Sequence, residues 1–166
     1  MGNNRGFSLL ELIVTCGVVG VCAAVAIPSM NNAVQRNRVI TSAQLVSAQI
    51  REARLAAITR NQFFRVAFDC PATGAIRMLE VTGDPAVDDD PGRCTTNLPN
   101  DGPPMYMPEG VGFGEAPETL QINSRGQVSV LGGAMPHDAA VTDGALSFTV
   151  TVTATGRVTV AADVEE

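Results

Sequence analysis

The chain has few residues of the kinds on which catalytic sites depend. It contains one histidine, His137, and its four cysteines show no closely paired spacing, so little is available to build a zinc site or a histidine-based triad. No Gly-x-Ser-x-Gly, phosphate-loop or dinucleotide-binding pattern occurs. We therefore expect no enzyme activity and no cofactor, and we interpret His137 as an ordinary loop residue.

Lysine is also absent, so all eleven basic residues are arginine, and their distribution along the chain is uneven. Residues 28–68 hold six arginines and one acid, a net charge of +5, whereas residues 69–166 hold four arginines and fifteen acids, a net charge of −11. An acidic domain is poorly suited to nucleic acid, because neutralising phosphates requires positive charge. The basic segment could meet lipid headgroups or acidic neighbours in an assembly, or it could be a solvated helix face.

An apolar run near the amino terminus contains one acidic residue. Residues 7–27 would form a helix of about 32 Å, long enough to span a bilayer. Glu11 lies inside this run, where a carboxylate costs roughly 2.5–3.5 kcal/mol on insertion scales. A membrane helix with this composition is therefore expected to need a partner for Glu11.

Two other targeting signals fit the same run less well. An ordinary secretory signal could be cleaved near Ala24-Val25-Ala26, but Glu11 would then interrupt its apolar core. A lipoprotein signal needs a small residue before the acylated cysteine, and the residues before Cys16 and Cys22 fit badly. Six residues apart on a helix, these two cysteines face different sides, which favours a packing role.

The segment Gly6-Phe7-Ser8-Leu9-Leu10-Glu11-Leu12 resembles the class III signal of type IV pilins and type II secretion pseudopilins. The resemblance implies that a prepilin peptidase cuts between Gly6 and Phe7 on the cytoplasmic side and methylates the new amino terminus. It also implies that Glu11 pairs with the terminal amine of a neighbouring subunit during assembly. This agrees with electrostatics, because removing one partner of a buried charge pair typically costs roughly 3–5 kcal/mol. Pro28 matches the helix-kinking proline of the family.

Helical periodicity continues beyond Pro28, which lacks an amide proton and should kink the helix without ending it. We predict one helix from Ser8 to Thr59, with its first half in the membrane and its second half packed on the remaining domain. The apolar stripe that predicts this packing recurs at spacings of three and four: Val39, Ala43, Val46, Ile50, Ala53 and Ala57.

Beyond Asn61 the hydrophobic period changes to two, which indicates β-strands. The chain is therefore predicted to have an α+β fold, a long N-terminal helix on an antiparallel, β-rich head, with an irregular stretch over residues 83–110. Predicted strands are Phe63–Phe68, Ala75–Thr82, Leu120–Asn123, Gln127–Leu131, Leu146–Ala154 and Val158–Ala161. The expected regions are a leader (1–6), a transmembrane helix (7–28), an amphipathic helix (29–60) and a periplasmic head (61–166).

Two features of the head suggest local constraints. If the head is exported, its compartment permits a disulfide between Cys70 and Cys94, worth roughly 3–4 kcal/mol in the chain-entropy model. The run Asp88-Asp89-Asp90 could ligate a hard cation such as calcium, which prefers oxygen ligands. We favour a solvated acidic loop for this run and expect no metal.

The order of elements, ending in a Thr-Gly-Arg turn, resembles the GspH/FimT group of minor pilins and pseudopilins. Some FimT-type members bind DNA through Gly-Arg-x-Arg, but Gly156-Arg157-Val158-Thr159 keeps only the first arginine. We therefore predict a minor subunit of the bacterial inner membrane that primes or caps a type IV pilus or secretion pseudopilus. Its expected partners are prepilin peptidase and other pilins. The rival prediction is a receptor that captures DNA through Arg157.

Overall fold

The computed structural model describes residues 8–163, except for the side chains of residues 25–29. Gly6 and Phe7, between which cleavage is predicted, lie outside the described residues. The chain divides into two compact units, one ending at Asn37 and the other beginning at Arg38. The second unit contains the predicted head together with the last part of the long helix.

The helix α1 runs from Leu9 to Arg60 without interruption, one residue later at each end than predicted. It continues through Pro28, and the kink expected there stays a prediction. Within the part of the chain that the structure describes, no helix is long and apolar enough to cross a membrane. The helix stops at Arg60 because Asn61 takes a left-handed conformation with φ of 52°, which is a common way for a helix to end.

The predicted apolar stripe of α1 is confirmed within the second unit. All six of its side chains, from Val39 to Ala57, have no exposed surface. Ser42, one position before Ala43, is also buried and donates its hydroxyl to the carbonyl of Arg38 at 2.9 Å. The face that carries this stripe therefore packs into the head core, as the helical spacing indicated.

After α1, the chain forms nine strands and one short helix within the described residues. In chain order the elements are β1 Phe64–Phe68, β2 Ala75–Glu80, α2 Pro85–Asp88, β3 Met105–Tyr106, β4 Gly112–Phe113, β5 Leu120–Ile122, β6 Val128–Val130, β7 His137–Thr142, β8 Ser147–Val152 and β9 Val158–Ala162. The first sheet has the order β3-β2-β1-β5-β6, and the second has the order β4-β7-β8-β9, with every strand pair antiparallel.

The two sheets and the buried face of α1 share one hydrophobic core. Phe64 and Val66 of β1 contribute from the first sheet, and Val150 and Val152 of β8 contribute from the second. On β8, Phe148 lies on the same buried face, whereas Leu146, which was predicted to continue it, precedes the strand and is 37% exposed. The α+β fold and its antiparallel hairpins are thus confirmed.

Three strands were not predicted, and one of them corrects an interpretation. β7 begins at His137, so this residue is not in a loop. Its segment carries Ala139 and Ala140, which have low intrinsic strand preference, and therefore gives a weak sequence signal. Six residue pairs with β8 fix it as a strand. β3 and β4 are each two residues long, too short to show periodicity.

Candidate assembly site and the head loop

Glu11 lies in the first turn of α1 and is exposed in the single chain. A carboxylate at this position is favoured by the positive end of the helix dipole. Among the described residues the ion pairs join Arg65 to Asp89 and link Arg77 and Arg93 to Asp101, so none involves Glu11. Glu11 is thus an exposed carboxylate that belongs to none of the ion pairs among residues 8–163.

In the head, a disulfide joins Cys70, just after β1, to Cys94 in the long loop between β2 and β3. The sulfurs are 2.08 Å apart and the Cα atoms 5.2 Å apart, within the usual range for such bridges. Cys70 is fully buried and packs with Ala67 and Leu79. The predicted bridge is therefore present, and it ties the loop to the first sheet.

We expect Cys70→Ser to lower the free energy of unfolding of the head by roughly 3–4 kcal/mol, because the loop would lose its covalent closure. Thermal melting of the full-length protein in detergent under oxidising conditions measures the change. Cys22→Ser is a matched control, because Cys22 is a free cysteine outside the head. An equal melting temperature for Cys70→Ser and the native chain would show that the bridge contributes nothing.

A buried ion pair closes the same loop on itself. The two terminal nitrogens of Arg93 lie 2.7 Å from the two carboxylate oxygens of Asp101, and both side chains are almost completely buried. Asp101 also accepts backbone hydrogen bonds from Glu80 at 2.7 Å and Leu98 at 2.8 Å. Charge-assisted, bidentate pairing of this kind is both stronger and more directional than a neutral hydrogen bond.

The surroundings of this pair favour its charged form. Burial alone would raise the pKa of Asp101, but the hydrogen bonds from Arg93, Leu98 and Glu80 outweigh it and hold that pKa below its ordinary value. The largest influence on Arg93 is the hydrogen bonding that it donates to Asp101, which raises the pKa of Arg93 above the usual value. The pair is thus ionised throughout the physiological range.

Arg77 of β2 anchors the loop from the sheet side. It is 3% exposed and donates to the carbonyls of Gly102 at 3.1 Å and Cys94 at 2.5 Å, as well as to the side-chain oxygen of Asn97. Its guanidinium also lies 3.8 Å from Asp101. The irregular stretch is therefore held by two buried arginines in addition to the disulfide.

The expectation of a solvated run at Asp88-Asp89-Asp90 was wrong for its first member. Asp88 is buried at the end of α2 and accepts hydrogen bonds from the backbone of Thr82 and Gly83 at 2.9 and 2.8 Å. Burial would raise the pKa of Asp88, but these bonds prevail and lower it.

The other two acids of the run have separate roles. Asp89 pairs with Arg65 at 2.7 Å, and Asp90 accepts from the backbone of Gly92. No group of three or more potential metal-binding side chains comes together in the described part of the chain.

His137 lies at the edge of a cleft of about 540 Å³ that also contains the acids Glu115, Glu118 and Asp138. Its Nε2 atom is buried and has no hydrogen-bond partner among the described residues. On the core side, its ring lies 6.5 Å from that of Phe68.

Arg157, the candidate nucleic-acid contact, is exposed in the turn between β8 and β9. The preceding Gly156 is buried, with φ of 77°, and a Cβ there would lie 2.6 Å from Nε of Arg54. The Gly156 turn therefore needs glycine for its conformation and for its contact with α1. Arg54 also donates to the carbonyl of Gly126 at 2.9 Å, which brings the β5–β6 turn to the same place.

Comparisons with known proteins agree with this geometry. The prokaryotic N-terminal methylation motif matches residues 1–27. No curated protein matches the chain in sequence. A solved structure, the minor pseudopilin EpsH from the Type 2 Secretion System of Vibrio cholerae, is similar in fold, with a TM-score of 0.51 and 21% identity. The match covers 77% of this chain and 99% of that one.

The chain thus begins with an N-terminal methylation motif and has a pilin-like fold, in which a long helix is followed by antiparallel strands. Both the resemblance inferred from the sequence and the predicted fold class are confirmed.

Proposed function

We propose that the protein is a minor pilin or pseudopilin, a structural subunit that primes or caps a type IV pilus or a type II secretion pseudopilus. Residues 7–28 anchor it in the bacterial inner membrane, with residues 1–6 in the cytoplasm and the head in the periplasm. The observation that carries the proposal is an exposed Glu11 in the first helical turn, within a matched N-terminal methylation motif.

Processing supplies the group that Glu11 needs. Cleavage between Gly6 and Phe7 creates a cationic amine, which prepilin peptidase then methylates. Because Glu11 has no ionic partner among the described residues, it can receive the amine of an adjacent subunit. Such a contact is favourable mainly when the carboxylate and the amine leave water together. The helix can therefore enter the filament only at the axial position that places Glu11 beside the neighbouring amine.

The structure of the head supports a role in recognition. Its long loop is closed by the Cys70–Cys94 disulfide and by the buried Arg93–Asp101 pair. A loop constrained in this way loses little conformational entropy when a partner binds it. We infer that the head presents a preformed surface to the other pilin subunits or to the machinery that the filament serves.

Changing the residue before the cleavage point tests the proposal. We expect Gly6→Ala to abolish processing. The peptidase cuts the bond that follows Gly6, so its active site must accommodate the side chain at this position. Intact-mass spectrometry of the protein extracted from membranes of its native host measures the outcome. Gly2→Ala is the control, since it makes the same change elsewhere in the leader. A Gly6→Ala product that begins at Phe7 would contradict the cleavage assignment.

A further inference from the structure

The turns of two hairpins meet beside α1 in the second unit. The backbone amide of Val128 donates to the carbonyl of Ala154 at 2.9 Å, and a Cβ on Gly156 would lie 2.9 Å from the carbonyl oxygen of Gly126. Arg54 contacts both turns, and Arg51 donates to the carbonyl of Val158 at 3.3 Å. The β5–β6 turn, the β8–β9 turn and α1 therefore form one continuous surface.

This surface is basic. Four arginines surround the junction: Arg51, Arg54, Arg125 and Arg157. We call them the basic edge. Neither turn contains an acid, and the one acid in α1 between Arg51 and Arg60 is Glu52, whose carboxylate accepts a hydrogen bond from Gln49 at 3.1 Å. Within the described residues, none of the four guanidinium groups belongs to an ion pair.

Two apolar side chains lie next to the basic edge. Leu55, one helical turn after Arg51, is 61% exposed, and Ile58 is 46% exposed although it also contacts the Gly126 turn. Arginine is enriched at protein–protein interfaces, and the fully buried core of an interface is more apolar than the interface as a whole. A partner that covers this surface should therefore offer both acids and apolar contacts.

We propose that the basic edge, with Leu55 and Ile58, docks an acidic segment of a neighbouring pilin-type subunit. The proposal rests on the assembly role proposed above. Charge complementarity supports it, because acids outnumber arginines fifteen to four from Asp69 onward in this same chain. A neighbour with a similar composition would present many such acids. Opposite charges that meet across an interface speed encounter and fix register.

Nucleic acid fits this surface less well. A phosphate backbone would neutralise the arginines but would leave Leu55 and Ile58 without apolar contacts. The acids elsewhere in the head would also repel a long polyanion, because affinity for phosphates depends on positive charge. A protein segment can satisfy both the charged and the apolar parts of the surface.

Site-specific photo-crosslinking tests the proposal on the full-length protein in its native host. A photo-reactive amino acid replaces Leu55, and the crosslinked peptides are identified by mass spectrometry. We expect crosslinks to an acidic segment of a pilin-type subunit. Arg125→Glu/Arg157→Glu should reduce their yield by about tenfold, since it reverses two exposed charges at the docking surface. Arg125→Lys/Arg157→Lys keeps the charge and should retain most of the yield.

The remaining outcomes would overturn the proposal. Crosslinks that reach a segment without acids, or a yield unchanged by charge reversal, would show that the basic edge does not select its partner by charge. DNA binding would also overturn the proposal. If the detergent-purified protein bound a 30-base-pair DNA duplex in a salt-sensitive manner, and Arg157→Ala lost that binding, nucleic acid would be the favoured partner of this surface.

Measuring the mature mass of each variant separates this proposal from the one on which it depends. A normally processed, filament-incorporated protein with charge-independent crosslinks would refute the docking surface alone. A chain that is never processed or incorporated would refute the proposed function itself.

Discussion

Asp101→Asn is expected to lower the free energy of unfolding of the head by about 3–5 kcal/mol, because it leaves the buried guanidinium of Arg93 without its counter-charge. The oxygen of the new asparagine can still accept one hydrogen bond from Arg93. Its NH2 group, however, would replace the second carboxylate oxygen and would face another N–H donor of Arg93. Denaturant unfolding of the full-length protein in detergent at neutral pH measures the loss.

A second aspartate in the same loop provides the control. Asp90 is exposed and accepts a hydrogen bond from the backbone of Gly92 but has no arginine partner, so Asp90→Asn should change stability by less than about 0.5 kcal/mol. If Asp101→Asn cost no more than Asp90→Asn, the buried pair would not hold the loop.

The pH dependence gives the same prediction a distinct signature. The folded-state pKa of Asp101 lies below its ordinary value of about 3.9, so its ionisation stabilises the fold at all pH values above that value. The contribution is lost as pH falls through the lower folded-state pKa. The stability difference between the native protein and Asp101→Asn should therefore be constant near neutral pH and shrink below about pH 4.

Periodic features of the sequence predicted most of the fold. The stripe from Val39 to Ala57 identified the buried face of α1 because a helix places every third or fourth residue on one side. Alternation identified β8, and Gly74, with φ of 74°, marks the turn of the β1–β2 hairpin. These signals are local, so a single sequence is enough to show them.

The contacts that organise the head loop are not local, and the sequence did not reveal them. Arg77, Arg93 and Asp101 appear as isolated charges in a segment rich in glycine and proline, and nothing in their spacing indicates that they are buried together. Only the fold brings them within reach of one another. The sole available signal was the presence of two arginines in an otherwise acidic region, which favours ion pairing without naming the partners.

The same distinction between local and non-local signals applies to Arg157. Its sequence context suggested comparison with a short linear pattern in which a second arginine follows two residues later, where this chain has Thr159. The structure instead supplies Arg125 from a different hairpin whose turn adjoins the Gly156 turn. A charged surface assembled from separate turns cannot be recognised from the spacing in either one.

Glu11→Ala should leave processing intact but reduce incorporation into filaments by at least about tenfold, which corresponds to about 1.4 kcal/mol. Processing should persist because the cleavage point, between Gly6 and Phe7, is unchanged. Incorporation should fail because the amine of the adjacent subunit would enter an apolar environment without a counter-charge. Mass spectrometry of the membrane-extracted protein and quantitative immunoblotting of sheared filaments measure the two effects separately.

Two further substitutions decide whether the charge of Glu11 is responsible. Glu52→Ala removes the other glutamate of α1, which is exposed and accepts a hydrogen bond from Gln49 at 3.1 Å, and should leave incorporation unchanged. Glu11→Gln preserves size and hydrogen-bonding capacity while removing the charge, so it should be as defective as Glu11→Ala. If Glu11→Gln assembled normally, an ion pair with a neighbouring amine could not be what positions the helix, and shape or hydrogen bonding at this residue would have to account for assembly.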